Sequence, residues 1–335
     1  MRKTKYTIKL EVLKLKLYEF TFKGLSYFTS EIKSYTIFGA LCWGYRNLFG
    51  EKKLLDLLEH FNSSPPFLIS TCIFKKGNIR YFPCPQIKED FPDAKAIEEY
   101  KKQKEIKKKL NYIPEDIFIE FLEGKIKTKW KLGQKIEECK DFETISIHRT
   151  IKLHNSINRL TWTTIGGQLY NVSSYFYPEF SFFICLFAEN LLDEIKAVFK
   201  YISFGGNKSV GYGRVKLIKV ERVEKFEKYL SQPTQKFYTL SSTFPDSSFD
   251  YDNSYYQIEI FCGKVENFYD RLVAPILKRK VLYFQPGSIL TIKNGNRKKF
   301  YGNLINVLSS KSLIDPSKEV KIYQYGYAFP FYIKE

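Results

Sequence analysis

Four glycines fall within nine residues, Gly205, Gly206, Gly211 and Gly213, inside the string Ser203–Arg214, SFGGNKSVGYGR. The string lies where one periodicity ends and another begins. Before it, Leu191, Leu192, Ile195, Val198, Phe199 and Ile202 recur at helical steps, and after it Arg214 to Val220 alternates as a strand does. A connection of this composition lets the backbone take positive φ and brings its amides close to whatever lies against them, because no Cβ intervenes. It therefore constrains the fold as a helix-to-strand turn and is at the same time a candidate anion-binding nest. A plain flexible connector remains open beside the nest. The loop follows a helix C-terminus, whose partial negative charge opposes an anion, so a nest here needs Lys208 and Arg214 for compensation. The spacing is not that of a phosphate-binding P-loop, since no Gly-Lys-Ser/Thr occurs at the required place.

Around this junction the chain alternates strand and helix patterns. Residues 6 to 18 alternate apolar and polar, with a doubling at Val12 and Leu13 that suggests a bulge. A Gly/Ser/Thr-rich loop follows. Phe38, Leu41, Cys42, Tyr45, Leu48 and Phe49 then mark a helix from Ser34 to Phe49, with Ser34 as N-cap and Gly50 as stop. A second helix is expected over Lys52 to Phe61, and a strand pair over Ser70 to Pro85. The lysine-rich stretch from Ala94 to Leu110 reads as an exposed helix or a mobile insertion with a solvated face. Residues 125 to 175 carry β-type segments, IKTKWKL and ISIHRTIKL among them, and predict a long hairpin or paired arms. Phe180 to Ala188 is a buried strand. This order is that of a ferredoxin-like βαββαβ domain with an elaborated middle. A second module begins near Lys236, with strands at Tyr256–Phe261, Val281–Phe284, Ser288–Ile292 and Lys321–Tyr325 and a tight turn at Gln285–Ser288. The expected division is thus 1–235 and 236–335, the first part holding an insertion at about 94–175 and the glycine-rich loop.

The partner class follows from charge. Fifty-four Lys and Arg against 36 Asp and Glu leave +18, on a chain whose 44% hydrophobic content supports a folded core. A distributed positive field concentrates phosphates and releases counterions on binding, so a polyanion is favoured. A lysine-rich genome would produce the same excess, since 44 of the basic residues are Lys, and the ten Arg are therefore the more informative. The six Cys show no C-x-x-C pair, which signals neither a disulfide framework nor a zinc site and fits reduced thiols in the cytosol. No signal peptide is expected from the Lys-interleaved start, and the apolar run Phe180 to Ala188 is too short to span a bilayer, so a cytoplasmic protein without membrane contact is expected.

Two further constellations bear chemistry. IHRTIKLHNSINRLTWTT contains His148, Arg149, His154, Asn155 and Arg159. The histidines titrate near neutrality and suit either acid/base cleavage of RNA or stacking and phosphate donation beside the arginines. No carboxylate in the neighbouring sequence is placed to orient either ring. The start of the first helix, SYTIFGALCWGY, offers free amides with the Ser34 and Thr36 hydroxyls, a ready anion site, whereas Phe38, Leu41 and Trp43 there are core residues. His60 stands alone, no metal-ligating cluster and no G-x-S-x-G elbow occur, and no metal or cofactor is expected.

Taken in order, these segments resemble the RAMP superfamily of CRISPR-associated proteins. Within it they are similar to the 5′-handle-capping family, subunit four of type III-A (Csm) effector complexes. The resemblance rests on Ser34, Thr36 and FGALCWGY, on the Ser70 strand leading to FPCP at 82–85, and on HNSINRLTWTT from His154. It continues through GGNKSVGYGR at 205–214, the Gly287-Ser288 turn and the closing YQYGYAFPF from Tyr323. It spans nearly the whole chain. Two departures are Tyr35, where the family commonly has an aspartate between the serine and threonine, and Asn158, where it has an aspartate before the arginine.

The resemblance implies an α+β fold of two ferredoxin-like (RRM-like) modules, the first with a large insertion and a β-hairpin thumb. It implies a non-catalytic subunit in antiviral defence that holds the repeat-derived 5′ handle of CRISPR RNA. The subunit would dock on the large Csm subunit and contact a backbone RAMP subunit, close to target RNA at the handle–guide junction. In that role Ser34, Thr36, Gly205, Gly206, Asn207, Lys208, Ser209, Gly211, Tyr212, Gly213 and Arg214 grip the handle. Arg149, His154, Asn155 and Arg159 belong to the thumb. The alternatives are a metal-independent CRISPR RNA processing endoribonuclease of the same superfamily using His148 or His154, and an RNA-binding scaffold outside CRISPR systems.

Overall fold

The computed structural model describes residues 15–334 apart from 90–110, 140–146, 189, 267–276, 295–296 and 318. The first 222 residues contribute strands β1 (Lys16–Gly24), β2 (Phe67–Ile69), β3 (Ile73–Lys76), β4 (Ile79–Pro83), β5 (Tyr112–Pro114), β6 (His148–Ile157), β7 (Thr164–Phe176), β8 (Glu179–Leu186) and β9 (Val215–Arg222). Interleaved with them are helices α1 (Ser34–Phe49), α2 (Glu51–Ser63), α3 (Glu115–Leu122), α4 (Lys129–Glu138) and α5 (Leu191–Phe199). The sheet runs β5-β4-β3-β8-β1-β9 and is antiparallel throughout, with β2 sharing the β8 edge beside β3.

β1 sits in the middle of this sheet and is covered on both faces. Phe20 and Phe22 are fully buried on the helix side against Phe199, and Leu17, Glu19 and Thr21 are buried on the opposite face. This explains why a half-buried strand was expected over 6–18, whereas the described strand continues to Gly24: polar residues that read as solvent-facing lie under other parts of the fold. Residues 6–14 are outside the described residues. α1 follows β1 and α5 follows β8. Ile37, Phe38, Leu41 and Tyr45 recur at three- and four-residue steps and bury one stripe of α1 against the sheet and α5. The Tyr45 hydroxyl donates to Glu194 on α5 at 2.9 Å, a polar tie at the edge of that stripe.

The expected α1 boundaries hold, and Gly50 ends the helix with φ 88°, but the N-cap is Lys33. Ser34 is already the first helical residue and has no exposed surface. IKTKWKL, expected as β-type, opens α4: Thr128 caps the helix by accepting from the Lys131 amide, and the buried residues Leu132, Gly133 and Ile136 follow helical spacing. The apparent alternation was too short to outweigh a cap and a stripe that extends past it. The lysine-rich segment expected as an exposed helix lies largely in 90–110, outside the described residues.

The stretch expected as a second module, 236–335, carries β10 (Lys236–Thr239), β11 (Phe249–Tyr255), β12 (Ile258–Phe261), β13 (Val281–Phe284), β14 (Ile289–Ile292), β15 (Leu304–Lys311), β16 (Glu319–Tyr325) and β17 (Pro330–Tyr332). β11-β14-β10-β17 form a four-stranded antiparallel sheet, and β12-β13 and β15-β16 are separate ribbons. The helices that a second ferredoxin-like copy requires are not among the described residues of this module. Its first strand shows how the halves join. Phe237 points into a small core with Phe249, Leu290 and Tyr301, while its neighbour Tyr238 points the other way into the main core beside Phe118. The main core continues through Phe61, Phe183, Tyr325, Phe329 and Phe331, so the modules share one hydrophobic interior. Where β2 breaks into β3, the Thr71 amide bonds the Leu240 carbonyl of the second module at 2.7 Å.

Candidate nucleic-acid interface

The glycine-rich loop is held from two sides. Its ends close on themselves through Phe204 N to Gly213 O at 2.9 Å. Between them Asn207 is left-handed (φ 56°), Lys208–Val210 form a short 3₁₀ turn, and Gly211 and Gly213 have φ 90° and 75°. Gly213 allows no substitute, because a Cβ there would lie 2.0 Å from the Phe204 carbonyl oxygen. Against the loop runs the segment between β1 and α1. Leu25 N bonds Arg214 O at 2.9 Å, Gly213 N bonds Tyr27 O at 2.8 Å, and Arg214 N bonds Ser26 Oγ at 2.9 Å. One residue later the same segment turns its other edge to β7, where Phe28 and Tyr175 exchange two backbone bonds of 2.8 Å.

This strap, residues 25–30, therefore couples the loop to the root of the β6–β7 hairpin. The strap also brings side chains to the loop. The Thr29 and Ser30 hydroxyls each lie 3.8 Å from the position of a Gly205 Cβ, and Thr29 Oγ1 lies 3.3 Å from that of Gly206. Neither hydroxyl has a partner among the described residues. Sequence reasoning had passed over 25–30 as a connecting loop, although its Ser/Thr content was a signal.

β6 and β7 pair as a long hairpin, as the β-type segments of 125–175 predict. His148 pairs with Phe176 and His154 with Tyr170 in its register, and the strands are exposed on most positions. At its root Tyr27 packs against Phe176, ring centroids 5.4 Å apart, and under the Lys152 ammonium at 3.7 Å. At its tip Asn158 organises the turn: its amide bonds Thr163 O, its carbonyl accepts from Trp162 N, and its Oδ1 accepts from Leu160 N at 2.9 Å. The turn holds Trp162 at φ 54°, a conformation unusual for a bulky residue, and leaves it 83% exposed beside Leu160 at 91%.

The fold brings most of the expected residues to one place and withdraws others. His154 Nε2 lies 2.8 Å from the Tyr212 hydroxyl, which is 3.3 Å from Ser174 Oγ, so thumb and loop meet through a side-chain contact as well. Tyr212 is buried; Gly206, Asn207, Ser209, Gly211 and Arg214 are exposed. Arg149 covers the Tyr175 ring at 5.8 Å, Asn155 and Arg159 are exposed along the hairpin, and Arg149, Arg159 and Arg214 pair with no carboxylate among the described residues. Lys208 is already engaged: its ammonium lies 2.9 and 3.2 Å from the two Glu266 oxygens of the second module. The nearby Lys278 has its pKa pushed down by burial, with Glu266 acting in the opposite direction.

Ser34 is corrected. Ser34 is fully buried and its hydroxyl accepts from Ser242 N at 3.1 Å, tying the modules together, while Tyr35 stacks on Tyr283 and packs at a tilt against Phe261. The start of α1 is thereby covered by residues beyond 236, and of the two candidate hydroxyls that of Thr36 is the one on a half-buried residue. His148 and His154 are six residues apart on one strand, about 20 Å, too far to act together on one phosphodiester. Among the described residues no group of His, Cys, Asp and Glu is arranged to hold a metal, and no helix is long and apolar enough to cross a membrane.

A family model described as the RAMP superfamily matches residues 22–216, a span from β1 through the glycine-rich loop into β9. No curated protein matches the sequence. Among solved structures, a chain of the "Csm1-Csm4 cassette in complex with cA4" is similar at 14% identity and TM-score 0.59, over 95% of this chain and 98% of that one. A chain of the "Csm3-Csm4 subcomplex in the type III-A CRISPR-Cas interference complex" is similar at 19% identity and TM-score 0.58, over 96% and 100%. At such identities the likeness is one of fold.

Proposed function

The chain belongs to the RAMP superfamily, and from that membership we propose that it is a non-catalytic CRISPR RNA-binding subunit of a type III-A effector complex, holding the repeat-derived 5′ handle. The observation that carries this reading is the strap, which joins a glycine-rich loop with unpaired hydroxyls and an unpaired Arg214 to a hairpin whose tip presents Trp162 and Leu160. Backbone amides and cations along such a path suit the phosphates of a single strand, and exposed aromatic and apolar groups suit bases splayed out of their stack. The loop then grips the handle. The thumb, with Arg149, Asn155 and Arg159, stands at the handle–guide junction, next to any target RNA.

The order β9-β1-β8-β3, with helices after β1 and β8, supports reading residues 1–235 as a ferredoxin-like module with an insertion. Residues 236–335 form the second module in this reading. The large subunit and a backbone RAMP subunit are its proposed neighbours, because the chains of like fold come from complexes of Csm4 with Csm1 and with Csm3. The test is binding of the purified chain to labelled CRISPR RNA with and without its 5′ handle, in EDTA, with the same samples on a denaturing gel. Handle-dependent binding with intact RNA is expected. Cleavage within the repeat would overturn the proposal in favour of a processing endoribonuclease.

A further inference from the structure

The β12–β13 ribbon has one face turned into the molecule and one turned out. On the inner face Tyr283 and Phe261 pack on Tyr35 of α1, and Glu259 pairs with Lys33 and accepts from Ser242 Oγ at 3.1 Å. On the outer face Ile260 lies directly opposite Leu282, with Ile258 two residues along the same strand. These three are 69%, 40% and 51% exposed. The pairing continues past the strand ends, where Lys278 N bonds Gly263 O at 3.0 Å and Lys264 bridges to Leu277, itself 54% exposed. Exposure alternates from Ile258 through Val265, so Cys262 and Lys264 share the outer face. Four exposed aliphatic side chains on one short ribbon form a patch rather than the scattered single residues of an ordinary surface.

The charges on this face are of one sign. Lys264 and Lys280 are exposed, as is Arg279 beside them, and none of the three has a carboxylate partner among the described residues. The carboxylates of the same stretch are engaged elsewhere, Glu259 with Lys33 and Glu266 with Lys208. Such a face repels a second copy of itself. It offers a nucleic acid cations but no ring to stack on, since Phe261 and Tyr283 are turned inward. An apolar protein surface rimmed by carboxylates fits both features, burying the aliphatic groups and pairing the lysines at the edge. A subunit that coats RNA must itself be basic, so of the two neighbours proposed above the large subunit is the one that fits.

We propose that the outer face of the β12–β13 ribbon is the docking surface for the large subunit, which meets it with an apolar patch rimmed by Asp and Glu. The proposal deepens the functional reading above and rests on it for the identity of the partner, but the face is tested by a readout separate from RNA binding.

Cys262 allows a probe on the face itself. Cys139 is the other exposed thiol, while burial pushes those of Cys42 and Cys84 up to about 12 and raises those of Cys72 and Cys185 as well, which keeps them unreactive. The full chain carrying Cys139→Ser is labelled at Cys262 with benzophenone maleimide, assembled with CRISPR RNA, the large subunit and the backbone RAMP subunit, and irradiated. A crosslink to an Asp- or Glu-containing peptide of the large subunit is expected. Crosslinks only to RNA, to the backbone subunit, to a second copy or within the chain overturn the proposal, as does the absence of any. In parallel, affinity for the large subunit is measured with Ile260→Thr/Leu282→Thr, which keeps strand propensity, and with Lys264→Glu/Lys280→Glu. The first pair is expected to lose about thirtyfold, the second about tenfold with a weaker dependence on salt. Equal unfolding midpoints exclude loss of the fold, and unchanged affinity in both pairs overturns the docking face even if handle-dependent RNA binding is intact. Loss of handle dependence in the native chain with the crosslink intact leaves the face standing and removes the proposed handle-binding function instead.

Discussion

Arg80, on β4, and Arg214, just before β9, have opposite surroundings. Arg80 on β4 is almost buried and fully satisfied: Nε and Nη2 bond both oxygens of the completely buried Glu19 at 2.6–3.0 Å, Nη1 bonds Glu115 at 2.9 Å, and Ser181 Oγ completes the Glu19 shell at 2.6 Å. Arg214, beside the strap, is exposed with its backbone fixed and its guanidinium unpaired among the described residues. The first network joins β1, β4, β8 and α3 and leaves no charge for a partner. The second is a charge held in place without an internal partner, which is what a polyanion site requires. Position in the fold, and not residue type, decides which arginine is structural.

The largest effect should come from breaking the buried network. Arg80→Ala leaves the buried Glu19 with only Ser181 Oγ at 2.6 Å and the Lys75 ammonium at 3.9 Å and is expected to cost about 3–5 kcal/mol in urea unfolding, with the salt dependence of RNA binding unchanged in whatever protein remains folded. Next comes the loop. Gly213→Ala would drive a Cβ into the Phe204 carbonyl and is expected to cost about 2–3 kcal/mol and weaken RNA binding. Gly211→Ala, equally left-handed but in open space, should cost only about 1–2 kcal/mol; equal losses would show that conformation alone matters there. Arg214→Ala should leave unfolding within about 0.5 kcal/mol but lower the log–log salt slope of RNA binding by about 0.7. An unchanged slope would erase the contrast with Arg80. The smallest and opposite change is expected from Glu266→Gln, which releases Lys208 and should steepen the same slope by up to about 0.7. No steepening would mean that the lysine does not turn to the RNA when freed.

Much of the scaffold was legible before the structure. The boundaries of α1 and β13, the hairpin as a paired arm and the turn at Gln285–Ser288 follow from local periodicity and turn chemistry, which act over a few residues. The helix over Lys129–Glu138 was missed because a seven-residue window of alternating residues looks the same in both periodicities. The site was legible in its parts but not in its joints. The loop and the thumb were identified separately, while the strap between them, the His154–Tyr212 contact and the Lys208–Glu266 pair were not, since each links residues 58 or more positions apart. Ser34 was misplaced for the same reason. Its helix start is free in sequence and covered in space by Ser242 and the β12–β13 ribbon.

The sequence by itself determined the periodicities that make strands and helices, the turns at Gly205, Gly211 and Gly213 whose positive φ suits glycine, the basic excess and the aromatic content. These are properties of neighbouring residues and of totals. Which lysine keeps a carboxylate beside it, which hydroxyls face the glycines, and which face of the β12–β13 ribbon stays exposed depended on long-range packing. The chain brings such groups within a few ångströms only after the shared core of the two modules has closed.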